Sequence, residues 1–256
     1  MKYGDLPIGS KILFGRYREN DRGQEKELKW TKVTDDCRTV LVPRQIVAVF
    51  DHCERGVNQD RMNHGYNFYP YSNIDQYLNS RNYEWFVPKH SGDTVYYHEA
   101  RRPGFLHFFM PEEIKQIAIQ HITVASPKGS KKEFGEKTEI DRLVTIPSAS
   151  QFGWGGVNDI QREEGERIDL LSDSTVFHGV TRTGSTDSCH ILARDWRSLR
   201  PQFCSGYDTV CPMIILSPNV EVVQTAENGM TLYVADIKSE IEKRLASRSF
   251  VDLVLN

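Results

Sequence analysis

The longest apolar runs in this chain, such as residues 46–50 (IVAVF) and 213–216 (MIIL), have the length of a β-strand and no more. A helix that spans a bilayer needs about 20 apolar residues in a row. A long amphipathic helix needs an apolar stripe sustained over several turns. The chain offers neither, so its core has to come from short strands and short helices joined by many loops. The opening residues MKYGDLPIGS contain a lysine but no apolar stretch, so they do not read as a signal peptide. No membrane insertion is expected.

Residues 11–16 (KILFGR) and 27–33 (ELKWTKV) flank the turn sequence Asn20-Asp21-Arg22-Gly23 and predict a hairpin. Residues 39–42 and 45–50 add two short strands. Ser72 is placed to cap a helix whose Ile74, Tyr77 and Leu78 share one face. Pro111 suits the first turn of a second helix, with Glu112 and Glu113 at its positive end and Ile114, Ile117 and Ala118 as its apolar stripe. Between the two lies an aromatic stretch from Tyr83 to Phe109 with no clear period, expected to be functional or packed by its own side chains. Residues 122–125 and 143–146 read as strands on either side of a lysine-rich loop. Ser148 is expected to cap a short helix to about Trp154, and residues 155–186 to form loop. Strands follow at 190–194 and 213–216, with a turn around Ser205-Gly206-Tyr207-Asp208. A last hairpin, 220–223 with 231–234, turns at Asn228-Gly229. Asp236 then caps a helix carrying Ile237, Ile241 and Leu245. The fold class is α+β: a twisted antiparallel sheet with two short helices and long ordered loops. Residues 1–218 read as one domain and 219–256 as an appendage for docking or oligomerisation.

A length of 256 residues suffices for one large core, and 39% hydrophobic with 26% charged residues is ordinary for a globular chain. A net charge of -3 gives no electrostatic case for nucleic acid. The one basic cluster, Lys128 to Lys132, reads as a solvated loop tip. The five cysteines are Cys37, Cys53, Cys189, Cys204 and Cys211. Their odd number and the lack of C-x-x-C argue against a disulfide scaffold or zinc ribbon. They read as buried thiols, with a Cys189–Cys204 or Cys204–Cys211 bridge open in an oxidising setting.

The chain contains no G-x-x-x-x-G-K-[ST], G-x-S-x-G or H-E-x-x-H signature, and no cofactor is expected. Gly153-Trp154-Gly155-Gly156 reads as a turn. His90, Asp93, His98 and Glu99 are weak metal candidates, since imidazole and carboxylate suit a divalent ion. Cys189 and His190 point to opposite faces of an extended segment and cannot work as a pair. Cys204 with His178 rests on residue type alone. Arg194, Asp195 and Trp196, with Tyr207 and Asp208, fall around predicted strand ends. Trp, Tyr and Arg anchor interfaces and stack on sugars, which makes these five the ligand-binding candidates. The competing reading puts Trp196 in the core with a charged rim.

Several blocks carry a family likeness. Residues 9–30 (GSKILFGRYRENDRGQEKELKW) give a Gly, a strand with F-G-x-Y and a Trp near the end of the next strand. Tyr71-Ser72-Asn73-Ile74 with Tyr77-Leu78-Asn79-Ser80 resembles a "Y-S-N-I-x-x-[WY]-L-N-S" helix. Trp85-Phe86 with His90 and Asp93 resembles a "W-[YF]-x-P-x-H-x-x-D" loop. Pro103-Gly104-Phe105-Leu106, Phe109 and Glu112-Glu113 resemble "P-G-F-L-x-x-F-x-x-E-E". Ile146-Pro147-Ser148-Ala149, Phe152-Gly153 and Glu164-Gly165 resemble "L-P-S-x-x-E-[VF]-G … E-G", with Gln151 where the acid is usual. Leu192-Ala193-Arg194 resembles a "W-L-R-[ST]" strand with Ile191 in place of the Trp. Residues 210–214 (VCPMI) resemble "V-R-P-x-[IL]" with Cys211 in place of the Arg.

Over roughly residues 5–218 the chain thus resembles an uncharacterised domain family of phage virion proteins and Gram-positive bacterial surface proteins. The resemblance implies a C-type-lectin-like fold, related to that of formylglycine-generating enzymes, in which function lives in the loops. It implies a non-enzymatic structural or adhesion protein of the virion (tail, fibre, collar or head decoration), made in the host cytoplasm. Its partners would be other virion proteins, further copies of itself or a host-surface glycan. A bacterial carbohydrate-binding module using Trp196, Tyr207 and Arg194 is the alternative. An enzyme of formylglycine-generating type is a third, against which stands the lack of an identifiable reactive cysteine pair. His90 and Asp93 match the family pattern, which favours a structural hydrogen bond there.

Overall fold

The computed structural model describes residues 1–18, 25–41, 46–49, 68–89, 93–95, 102–127, 134–154, 166–173, 177, 179–184, 190–195, 198–203 and 207–237. The first strands are β1 (Lys11–Tyr17), β2 (Lys26–Lys32), β3 (Arg38–Leu41) and β4 (Ile46–Val49). Helices α1 (Asn73–Leu78) and α2 (Pro111–Ile114) precede β5 (Ile117–Ala118), β6 (Gln120–Pro127) and β7 (Phe134–Arg142). Helix α3 (Asp169–Asp173) is followed by β8 (Gly179–Gly184), β9 (His190–Asp195), β10 (Ser198–Phe203) and β11 (Tyr207–Val210). The last strands are β12 (Met213–Leu216), β13 (Val222–Glu227) and β14 (Met230–Ala235). The α+β class is as expected, and the described residues are mostly sheet with three short α-helices.

The principal sheet runs β13-β14-β1-β2-β3-β12-β5. Every neighbouring pair in it is antiparallel except β14 with β1, which is parallel with Ile12 opposite Tyr233. Alternation along β1 and β2 sends Ile12, Phe14, Leu28 and Trp30 inward, all buried. Trp30 packs edge-on against Phe105 and donates its indole N–H to the carbonyl of Phe14 at 2.7 Å, so its one polar atom is satisfied inside the core. Gly15 has φ +72° at a bulge in β1, and a Cβ there would stand 2.2 Å from a ring carbon of Phe109. Only glycine supplies both that backbone and that space.

Ser72 caps α1 as the sequence predicts, its Oγ accepting the Asp75 N–H at 3.2 Å. Ile74, Tyr77 and Leu78 are buried on its inner face. Asp75 faces Arg142, whose Nε and Nη2 donate to the two carboxylate oxygens at 2.6–2.9 Å. Burial pushes the Asp75 carboxyl up while Arg142 opposes the shift. Asn79 completes the fastening: its Oδ1 accepts the N–H groups of Leu143 and Val144, and its Nδ2 donates to the carbonyl of Val144 at 2.9 Å.

Several elements differ from the sequence reading. Helix α2 stops at Ile114, and Ile117 with Ala118 pair with Leu216 and Ile215 at the sheet edge instead of extending a helical stripe. A single turn has no cooperativity to hold β-branched residues. The strand before Leu143 is β7, not 143–146; its ladder to β6 ends where Asn79 takes the next two N–H groups. The Ser148 segment closes as a turn ending at Gly153, with φ +89°, and not as a helix. Within 155–186, expected as loop, stand α3 and β8. Strand β10 has no counterpart in the sequence reading; it holds Pro201, which it tolerates as the edge of the β10-β9-β8 sheet. The expected turn at 205–208 already includes the start of β11.

The hairpin read as part of an appendage turns at Asn228-Gly229 as expected and is hydrogen-bonded into the principal sheet through β14. The chain start is bonded to it as well, with the Tyr3 N–H donating to Val220 O and the Val222 N–H to Met1 O. The helix expected around Ile241 and Leu245 lies outside the described residues. So do the lysine-rich loop 128–132, the Asn20–Gly23 turn, Cys53, Cys189 and Cys204, and His178. No helix among the described residues is long and apolar enough to cross a membrane.

Candidate functional site

The ligand candidates read from the sequence are distributed over two sheets. Arg194 and Asp195 end β9, opposite Leu199 and Ser198 of β10. Tyr207 and Asp208 begin β11, opposite Val49 and Ala48 of β4. Strand β8 pairs with β9 and packs against β11 at Gly179, whose absent Cβ would stand 2.1 Å from the carbonyl oxygen of Thr209. Trp196 lies outside the described residues, as do the metal candidates His90, His98 and Glu99. Asp93 is buried and its Oδ2 accepts the Lys89 N–H at 3.0 Å, a loop-closing hydrogen bond. Among the described residues, no group of three or more His, Cys, Asp or Glu side chains is arranged to hold a metal ion. Cys37 and Cys211 are buried thiols outside any disulfide, and burial pushes the Cys37 thiol up, away from the thiolate form that reacts.

A cleft of about 330 Å³ opens where the β5–β12 edge of the principal sheet meets β6, the Ser148 turn and β8. Its apolar wall comes from Ile122, Met213 and Ile215. Its polar base is two glutamines and a guanidinium, all almost fully buried: Gln120, Gln151 and Arg182. Gln120 opens β6 and donates both amide hydrogens, to the carbonyls of Leu143 and Met213, each at 3.0 Å. Gln151 is oriented the other way. Its Oε1 accepts the Ser148 N–H and Arg182 Nη1, both at 2.9 Å. Arg182 also reaches the carbonyl of Ile146 at 2.6 Å. These partners fix which end of each amide is oxygen and which is nitrogen.

Two atoms remain. Gln120 Oε1 and Gln151 Nε2 have no hydrogen-bond partner among the described residues, and neither is among the sealed polar atoms of the interior. Each therefore faces accessible space, and the cleft is the space both residues line. At the mouth, Arg38 is paired with Asp36 at 3.4 Å and the His121 ring nitrogen lies 2.5 Å from Asp141, so those side chains already have partners. Amides do not transfer protons near neutral pH and a guanidinium does not lose one. The chemistry this base offers is recognition through fixed donors and acceptors.

A second hollow of about 430 Å³ lies beside the Gly15 bulge, between Phe14, Met110, Glu113, Val234 and Ile237. Burial pushes the Glu113 carboxyl up, and the N–H groups of Met110 and Gly15 oppose the shift. The Met110 bond is 2.7 Å long, so this carboxylate is held by the start of α2.

Sequence reasoning did not single out Gln120 or Arg182. The one visible signal was Gln151 at a position where the resembled family carries an acid. Comparison with protein-family models, with curated proteins and with solved structures finds no match to this chain.

Proposed function

We propose that the chain is a non-enzymatic structural and adhesion protein of a phage particle, binding another particle protein or a glycan on the host surface. The observation that carries the binding role is the cleft at Gln120 and Gln151. Its base holds a donor and an acceptor in fixed orientation, and the described residues that form this base, Gln120, Gln151 and Arg182, offer neither a nucleophile nor a general base. The Arg142–Asp75 pair and Asn79 support the same reading. They fasten α1 to the end of β7, so the connecting segments are carried on a rigid frame, as a recognition surface requires. The sequence resemblance supplies the particle. Mass spectrometry of purified particles, with copy number, tests it. The expected result is a fixed ratio to a known structural protein; particles without the chain overturn the assignment.

The cleft also favours a second reading, a bacterial carbohydrate-binding module. In that case the chain is absent from particles and retained on glycan-bearing surfaces.

A further inference from the structure

We infer that the cleft between Gln120 and Gln151 binds one neutral sugar ring, with one hydroxyl donating to Gln120 Oε1 and another accepting from Gln151 Nε2. The inference rests on the glycan-binding arm of the function proposed above and names the ligand class for it.

The choice follows from what the base lacks. An anion would face the unpaired oxygen of Gln120, and a cation would sit over the guanidinium of Arg182. An apolar molecule would strand both free amide atoms in a site from which it excludes water, and unmade buried hydrogen bonds are costly. A hydroxyl is both donor and acceptor, so a ring carrying several of them meets both atoms at once. The C–H face of such a ring is apolar, and Ile122, Met213 and Ile215 provide an apolar wall. The volume, about 330 Å³, lies at the small end of ligand pockets, which run from about 300 to 1,000 Å³.

Gln151 is the residue on which specificity turns. A glutamate at this position would keep an oxygen for the Ser148 N–H and for Arg182, and would lack the N–H groups that face the cleft. The amide is therefore the element that converts a structural contact into a binding site.

The test uses the full chain. Glucose, galactose, mannose, rhamnose and N-acetylglucosamine are titrated separately while the side-chain amide signals of Gln120 and Gln151 are followed by NMR. At least one sugar is expected to shift both signals saturably. Gln151→Glu is expected to bind that sugar roughly tenfold or more weakly, with a melting temperature equal to or above that of the wild type. Ile215→Trp, which fills the cleft from its wall, is expected to abolish binding and serves if Gln151→Glu folds poorly. Saturable shifts from none of the five sugars overturn the inference, as does undiminished binding by folded Gln151→Glu or Ile215→Trp. A chain found in particles but blind to all five sugars refutes this inference and leaves the particle assignment standing.

Discussion

Arg142 and Asp75 stand 67 positions apart in the sequence and are joined by three hydrogen bonds of 2.6, 2.7 and 2.9 Å. Asp75 is nearly sealed from solvent, whereas the arginine is a quarter exposed. The pair therefore depends on the arginine side: removing it leaves a carboxylate where water cannot compensate. Arg142→Met is expected to destabilise the chain by about 3 kcal/mol in urea unfolding. Asp75→Asn combined with Arg142→Met should recover a large part of that loss, because no buried charge is then left alone. A double variant as unstable as the sum of the two singles would mean that the residues do not act as a pair.

Gly15 is expected to be intolerant of the smallest change. Gly15→Ala forces a side chain into a left-handed backbone position and drives its Cβ into Phe109. The two effects together should cost about 3 kcal/mol. Gly229→Ala gives the control, since its φ of +77° carries similar backbone strain but a Cβ meets nothing within 4 Å. Denaturant midpoints should place Gly15→Ala clearly below Gly229→Ala, and equal midpoints would remove Phe109 from the explanation.

Lys32 is buried in the sheet and donates to the carbonyls of Gly4 at 2.9 Å and Leu6 at 2.7 Å, with its ammonium 5.5 Å from the ring centre of Tyr3. Its work is to hold the first turn of the chain down. Lys32→Met keeps the apolar stem and strands the two carbonyls, at a cost of about 2 kcal/mol. Hydrogen exchange should quicken first at the Asp5 and Leu6 amides, which close that turn. Uniform quickening across the whole sheet would show that Lys32 supports more than the turn.

Glu113 gives the chain a pH signature. Its ordinary value is 4.5 and burial raises it in the folded state. The folded chain thus binds this proton more tightly than the unfolded chain does. Its contribution to stability is fully present below the ordinary value, falls as pH climbs from there through the raised value, and is lost above it. Glu113→Gln does not titrate and keeps an oxygen for the Met110 N–H. The stability of the wild type relative to this variant is expected to fall over the interval that starts at the ordinary value of 4.5 and runs upward in pH. A relative stability that rises over that interval would reverse the assignment.

Much of the frame was legible because its signals are local. Ser72 caps α1, Pro111 opens α2 and Asn228-Gly229 turns the last hairpin, each for a reason contained in four or five adjacent residues. The misreadings arose where a distant partner decides. Ile117 and Ala118 become a strand because β12 is there to pair with them, and Pro201 sits in β10 because that strand is an edge. The cleft was illegible for the same reason. Its base gathers Gln120, Gln151 and Arg182 from three separate segments, and two glutamines have no spacing rule that marks them as a site. Aromatic and arginine content drew attention instead to Arg194 and Tyr207, which belong to different sheets.

The parallel pairing of β14 with β1 places Tyr233 opposite Ile12, so the first strand of the sheet receives its last neighbour 221 residues later. On the ribosome, β1 and β2 emerge well before β14 and wait with one edge unmatched until that strand has been made. Such closure between distant segments slows folding and leaves a bare strand available to other nascent copies in the meantime. Weaker induction, which leaves fewer nascent copies present together, should therefore raise the soluble yield. A chain stopped at residue 218 would keep the bare edge permanently and would be prone to aggregate.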